Sequence, residues 1–147
     1  MLIYFASPFF NEEQIERERR LVETLRKMHF DVYAPSENGV LKPNSSDKER
    51  NAIFADNVLN LERADICFCV TDGKDIGTIW EAGFFKGINF KNDSKIIVYY
   101  CETLGDRPFN VMLAKSGQYV FTSMEQLAEL PALLLNNVRV DYVGKIQ

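Results

Sequence analysis

Asp65-Ile66-Cys67-Phe68-Cys69-Val70-Thr71-Asp72-Gly73-Lys74-Asp75-Ile76-Gly77-Thr78-Ile79-Trp80-Glu81-Ala82-Gly83-Phe84-Phe85-Lys86-Gly87 is the stretch around which the chain is organised. Ile66 to Val70 is an unbroken apolar run, as expected of a strand covered on both faces. Thr71 to Asp75 is polar, and Asp72-Gly73 is a turn signal in itself. Residues 78–88 then read as a helix entered through Gly77 and Thr78. Strand, polar turn and helix make the repeating unit of an open α/β sheet, and such sheets keep their sites at strand-end turns. Glu81 stands out because its neighbours Trp80, Ala82, Gly83 and Phe84 are apolar or small, and an unpaired buried charge is costly. One explanation is a capping box with Thr78 as N-cap and Glu81 three residues on. The other is catalysis. The stretch alone admits both.

The rest of the chain repeats the same unit. Leu2 to Ala6 reads as a strand broken by Ser7-Pro8, and residues 11–28 as a helix capped by Asn11, with Glu12 and Glu13 favourable in its first turn. Residues 30–34 alternate as a second strand ended by Pro35, and Ser36 to Asp47 form a polar loop. Residues 48–63 return to helical spacing. Lys95 to Tyr100 and Gln118 to Phe121 supply a fourth and fifth strand, and Ser123 caps a last helix over residues 124–135. Strands alternating with helices through short connections predict a doubly wound parallel five-stranded sheet, flavodoxin- or Rossmann-like, flanked by helices. Val138 to Tyr142 reads as an edge strand or as an arm onto a neighbour.

The 147 residues, with 46% hydrophobic and 26% charged, suit a single domain spanning 1–147. A net charge of −4 argues against binding a nucleic-acid backbone. The basic run Arg17 to Arg20 is interleaved with glutamate and reads as a solvated helix face. No stretch approaches the roughly 20 apolar residues of a membrane span. Three cysteines without CxxC spacing point to buried free thiols in a reducing compartment, hence the cytoplasm. The single histidine, His29, gives neither a metal cluster nor a Ser-His or Cys-His pair. Neither metal nor cofactor is expected, and the chemistry falls to carboxylates, hydroxyls and amides.

A parallel sheet gathers its strand C-termini on one edge. That edge collects Tyr4 with Ser7, Glu37 with Asn38, and Asp72 with Asp75, with Glu81 just beyond. A phenol and two carboxylates facing one cleft suit glycosidic-bond chemistry, in which one carboxylate attacks the anomeric carbon and the other manages the leaving group's proton. For Glu81 as nucleophile, Thr78, the Tyr4 hydroxyl and helix N-terminal amides are the groups that would keep it ionised. Asp72 is read as a turn residue. Tyr4 serves equally well as a core aromatic with its hydroxyl at the rim.

With these residues in place the chain resembles the nucleoside 2-deoxyribosyltransferases. The resemblance rests on Ile3-Tyr4-Phe5-Ala6, on Asp56-Asn57 with Ala64-Asp65, on Asp75-Ile76-Gly77-Thr78-Ile79-Trp80-Glu81-Ala82-Gly83, and on Arg107-Pro108-Phe109-Asn110-Val111-Met112-Leu113. The third segment has the family's form Asp-x-Gly-(Thr/Leu)-x-x-Glu-x-Gly and the fourth its Pro-(Phe/Ile)-Asn-x-Met. The resemblance implies a double displacement. Glu81 attacks C1′ of a 2′-deoxynucleoside, Asp75 assists the leaving base, Tyr4 orients Glu81, and a second purine or pyrimidine base returns a β-nucleoside. It further implies that Asn110, with Met112 close by, reaches the 5′-hydroxyl from a neighbouring subunit of a dimer or hexamer. Gly77 belongs to the substrate loop, and base contacts fall near Glu37, Asn38, Asp56 and Asn57. Phe9, Phe10, Trp80 and Phe109 are candidate walls of a dry pocket. The alternatives are a hydrolase of 2′-deoxynucleoside 5′-monophosphates, for which Ser7 would serve a phosphate, and a non-catalytic sensor domain, which the intact Glu81 and Asp75 disfavour.

Overall fold

In the computed structural model, which describes residues 1–147, strand and helix alternate along the chain. They run β1 (Leu2–Ala6), α1 (Glu12–Lys27), β2 (Asp31–Tyr33), α2 (Asp47–Arg63), β3 (Ile66–Val70), α3 (Ile76–Ile88), β4 (Ile96–Tyr100), α4 (Val111–Ser116), β5 (Tyr119–Phe121), α5 (Met124–Leu127) and α6 (Leu130–Leu135). The five strands form one sheet in the order β2-β1-β3-β4-β5, every pair parallel. This is the flavodoxin-like order, with its switch point between β1 and β3, where open sheets of this kind bind ligands.

Strand periodicity divides the interior in two. Ile3, Phe5, Ile66, Phe68, Val70, Val98 and Tyr100 face Leu21, Val22 and Leu25 of α1 and Leu127 and Leu130 of α5 and α6. Tyr4, Ala6, Cys67, Cys69, Ile97 and Tyr99 face Leu61 of α2 and Ala82 and Phe85 of α3. Covering both faces explains why β3 is apolar at every position, and all five of its residues are buried. The three cysteines are free and buried. No helix is long and apolar enough to cross a membrane.

Several expectations require correction. The helix after β3 begins at Ile76, and its N-cap is Asp75, not Thr78: the Asp75 side chain accepts from the Thr78 amide at 2.8 Å. Glu81 is therefore the sixth helical residue, beyond the reach of the free N-terminal amides. The helix expected over residues 124–135 is two short ones. Pro131 has no N–H for the carbonyl of Leu127, so the ladder breaks between Leu127 and Leu130. The basic run is not wholly solvated. Arg17 is buried, its Nε 2.6 Å from Glu102 and its Nη2 2.7 Å from Glu13. The polar loop opens with a 3₁₀ turn, Pro35–Asn38. The segment expected as an edge strand joins no sheet; instead Ile146 forms an isolated parallel bridge with Phe109.

Candidate active site

Tyr4 lies within β1, level with Tyr33 on one side and Cys67 on the other. It is wholly buried, and its hydroxyl donates to Glu81 Oε1 at 2.6 Å. The bond crosses from β1 to α3 over the switch point of the sheet. Glu81 points inward because its helix presents Ala82 and Phe85 to the core from the same flank.

The environment of this carboxylate is unusual. Burial pushes its pKa from the ordinary 4.5 to about 7; the Tyr4 hydrogen bond opposes the rise and the charge of Asp75 adds to it. The two residues acting on it are a phenol and another acid, so no cation neutralises it. Burial and then the Glu81 charge hold the Tyr4 phenol firmly protonated, so it acts only as donor. Near neutrality Glu81 therefore divides between carboxylate and acid, a condition found where chemistry is arranged more often than at structural sites.

Asp75 combines two positions. Its Oδ2 accepts from the Thr78 amide at 2.8 Å and the Thr78 hydroxyl at 2.9 Å, and Oδ1 carries no protein hydrogen bond. Gly77 keeps this arrangement open, since a Cβ there would lie 3.3 Å from Asp75 Oδ2. The helix thus separates its acids. Asp75 caps, and Glu81 is free of capping.

On the β2 side a further polar chain reaches the pair. The Tyr33 ring lies 5.5 Å from that of Tyr4. Its hydroxyl donates to Asn57 Oδ1 at 3.0 Å and accepts from Asn38 Nδ2 at 3.2 Å; Asn38 also donates to Asp56 Oδ2 at 3.2 Å. The Tyr33 pKa is raised, first by burial, with the Asp56 and Glu81 charges contributing. The structure thus brings Tyr4, Glu81, Asp75, Asn38, Asp56 and Asn57 to one region.

Glu37 is not among them, because it pairs with Arg26 on α1 at 2.6 Å. Tyr33 is the residue that sequence reasoning missed. It ends β2 and pairs in register with Tyr4, so the strand-end argument that selected Tyr4 applied to it as well. Asp72 does more than turn the chain: buried, it accepts from the amides of Glu102 and Thr103 and joins the loops after β3 and β4. Asn110 caps α4, its Oδ1 accepting from Met112 and Leu113. Both Asn110 and Met112 are exposed and share no hydrogen bond with Glu81.

The sequence profile of the nucleoside 2-deoxyribosyltransferases matches residues 3–127, from the strand that carries Tyr4 to the end of α5. The chain belongs to this family. Among solved structures it is similar to the 2-deoxyribosyltransferase of the psychrotolerant bacterium Bacillus psychrosaccharolyticus. That likeness has 24% identity and a TM-score of 0.79, and covers 97% of this chain and 100% of the other. A conserved protein from Enterococcus faecalis V583 is similar at 20% identity and a TM-score of 0.58, over 100% of this chain and 81% of that one. At these identities the likenesses show a shared fold. No curated protein matches the chain.

Within this deoxyribosyltransferase-family chain the aromatic candidates for pocket walls separate. Phe109 is core, packed between Tyr99 at 6.1 Å and Tyr142 at 5.6 Å. Trp80 lies on the seam of α2 and α3, stacked on Phe84 at 5.3 Å and tilted against Phe54 at 5.9 Å. Phe9 and Phe10 stack on each other, with Phe10 exposed.

Proposed function

We propose that this chain exchanges the base of 2′-deoxynucleosides through a deoxyribosyl ester on Glu81, with retention at C1′. The observation that carries the reading is the Tyr4–Glu81 pair: a carboxylate held by a buried phenol at 2.6 Å and poised near neutrality. Tyr4 occupies Oε1, which leaves Oε2 to attack C1′. As the new C–O bond forms, the C1′–N bond breaks. Its electron pair leaves on the base nitrogen, which takes up a proton through Asp75. Oδ1 of Asp75, which accepts no protein hydrogen bond, is the oxygen that serves the base. A second base then attacks C1′ from the same face, the C1′–Oε2 bond breaks to free the Glu81 carboxylate, and the base gives up its proton through Asp75, so two inversions give net retention. No cofactor takes part.

Asn38, Asp56 and Asn57 bound the base side, and Gly77 lets the substrate approach the capped Asp75. Asn110 and Met112 supply sugar contacts to a neighbouring copy, which makes a dimer or hexamer the working form. Ser7 gives the monophosphate hydrolase no support, since it is buried and donates to the Pro8 carbonyl at 3.1 Å.

Incubation with deoxyinosine and adenine tests the proposal. It should yield deoxyadenosine and hypoxanthine, and Glu81→Ala should abolish the exchange while the protein stays folded. Release of free base and deoxyribose alone, with acceptor present, would replace transfer by hydrolysis. Exchange by Glu81→Ala at the wild-type rate would remove the nucleophile from the mechanism.

A further inference from the structure

Asn110 sits at the start of α4, a helix of six residues. Fewer than two turns are marginal alone, so this terminus depends on what is packed against it. Its neighbours on both sides are held by one segment. The Phe109 amide donates to the Lys145 carbonyl at 2.8 Å, the Gln147 amide to the Phe109 carbonyl at 2.9 Å, and the Val111 amide to the main-chain oxygen of Gln147 at 2.7 Å. The segment thus pairs with Phe109 as a single parallel bridge outside the main sheet.

The Val111 bond is telling. Val111 is the first residue of α4, and an amide there has no acceptor within its own helix. Gln147 supplies it. Between these bonds the Asn110 carboxamide oxygen accepts from Met112 at 2.9 Å and Leu113 at 3.3 Å, so Nδ2 is the group left to face outward. The approach to the strap is shaped as well. The Tyr142 ring packs on Phe109 at 5.6 Å, and at Gly144 a Cβ would collide with the Tyr142 ring and hydroxyl. A larger residue at 144 would have to displace the Tyr142 ring from its contact with Phe109.

We infer that residues 145–147 are a backbone strap that positions Asn110, acting through main-chain oxygens and an amide rather than through side chains. The sugar-binding purpose of the strap rests on the reading of Asn110 under the proposed function; the strap itself rests on the hydrogen bonds. It accounts for how a six-residue helix at a loop end can present one amide with fixed direction.

Two variants and two measurements test this. A chain lacking residues 145–147 should exchange the amide hydrogens of Phe109, Val111, Met112 and Leu113 at least about tenfold faster. In base exchange its KM for the deoxynucleoside should rise about tenfold with kcat within about twofold, the mark of lost ground-state positioning. Gln147→Ala keeps every backbone group and should match the wild type in both. Unchanged amide protection in the shortened chain would overturn the strap. So would an unchanged KM once protection is lost, or Gln147→Ala reproducing the truncation. A wild-type protein inactive in base exchange would overturn the proposed function instead, and the amide measurement alone would then decide the strap.

Discussion

Replacing Glu81 by glutamine should make the protein more stable at neutral and alkaline pH while abolishing its chemistry. In the fold the Glu81 pKa stands at about 7 against an ordinary 4.5, with burial as the largest cause. Between these values the folded state binds more protons than the unfolded one, so wild-type stability falls as pH rises through that window. The stability associated with neutral Glu81 is fully present below 4.5 and is lost as pH passes 7. The gap of roughly 2.5 pKa units corresponds to about 3 kcal/mol. That is an upper bound, since water entering around a charged carboxylate relieves part of it. Glutamine keeps an oxygen for the Tyr4 hydroxyl and carries no charge to desolvate. The variant should therefore match the wild type near pH 4.5 and exceed it by up to about 3 kcal/mol near pH 8.

Urea unfolding followed through the fluorescence of Trp80, the chain's one tryptophan, would measure this at a series of pH values. Charged groups remote from Glu81 are the same in both proteins and cancel in the difference. A stability difference that stays flat from pH 4.5 to 8 would refute the reasoning, because it would mean that Glu81 ionises in the fold as easily as in the unfolded chain. A stabilised but inactive variant is the usual sign of a residue kept for function at the expense of the fold.

Three further outcomes are expected. Tyr4→Phe removes the 2.6 Å hydrogen bond that opposes the rise in the Glu81 pKa, so the acidic limb of the exchange rate should move up by about one pH unit; a limb that stays in place would separate Tyr4 from Glu81. Arg17→Met leaves Asp72 without its buried guanidinium neighbour and Glu102 with Arg20 alone, and should lower stability by about 2 kcal/mol in chemical denaturation. Gly77→Ala brings a methyl to 3.3 Å from Asp75 Oδ2; stability should change by less than about 1 kcal/mol, because helix propensity offsets the crowding, while kcat/KM for base exchange falls several-fold.

The sheet was legible in the sequence because each of its strands announces itself by period and punctuation. The apolar run from Ile66 to Val70 required cover on both faces, and the structure supplies α1 on one side and α2 and α3 on the other. The helix starts were legible where a cap is unambiguous, as at Asn11 and Ser123. They failed where two candidates competed. Asp75 and Thr78 are both good caps, and only the fold places the Thr78 hydroxyl as a donor to Asp75. Arg17 was misread because an arginine among glutamates has the same pattern whether it faces water or a buried partner. Its partner Glu102 lies 85 residues away. Tyr33 was missed for a similar reason: its meaning comes from pairing with Tyr4 and from Asn57, neither of them a neighbour in sequence.

The cap assignment bears directly on Glu81. A glutamate three residues after a threonine N-cap would be explained by the helix terminus, and its carboxylate would be drawn to free amides and held well ionised. With Asp75 as the cap, that explanation is gone. Glu81 stands in the second turn, facing the sheet, with a phenol as its one hydrogen-bonding partner and a raised pKa. Nothing in the helix needs an acid there, and stability would favour an uncharged side chain. The cost falls on the residue that the proposed mechanism requires, and Asp75, six positions earlier, lies close enough to raise its pKa further. A substrate that develops positive charge at C1′ would reverse this balance, since an oxocarbenium-like centre beside Oε2 favours the ionised form that burial resists. On the proposed mechanism, the arrangement that disfavours a carboxylate at rest is relieved when a cation forms beside it, as transition-state complementarity demands.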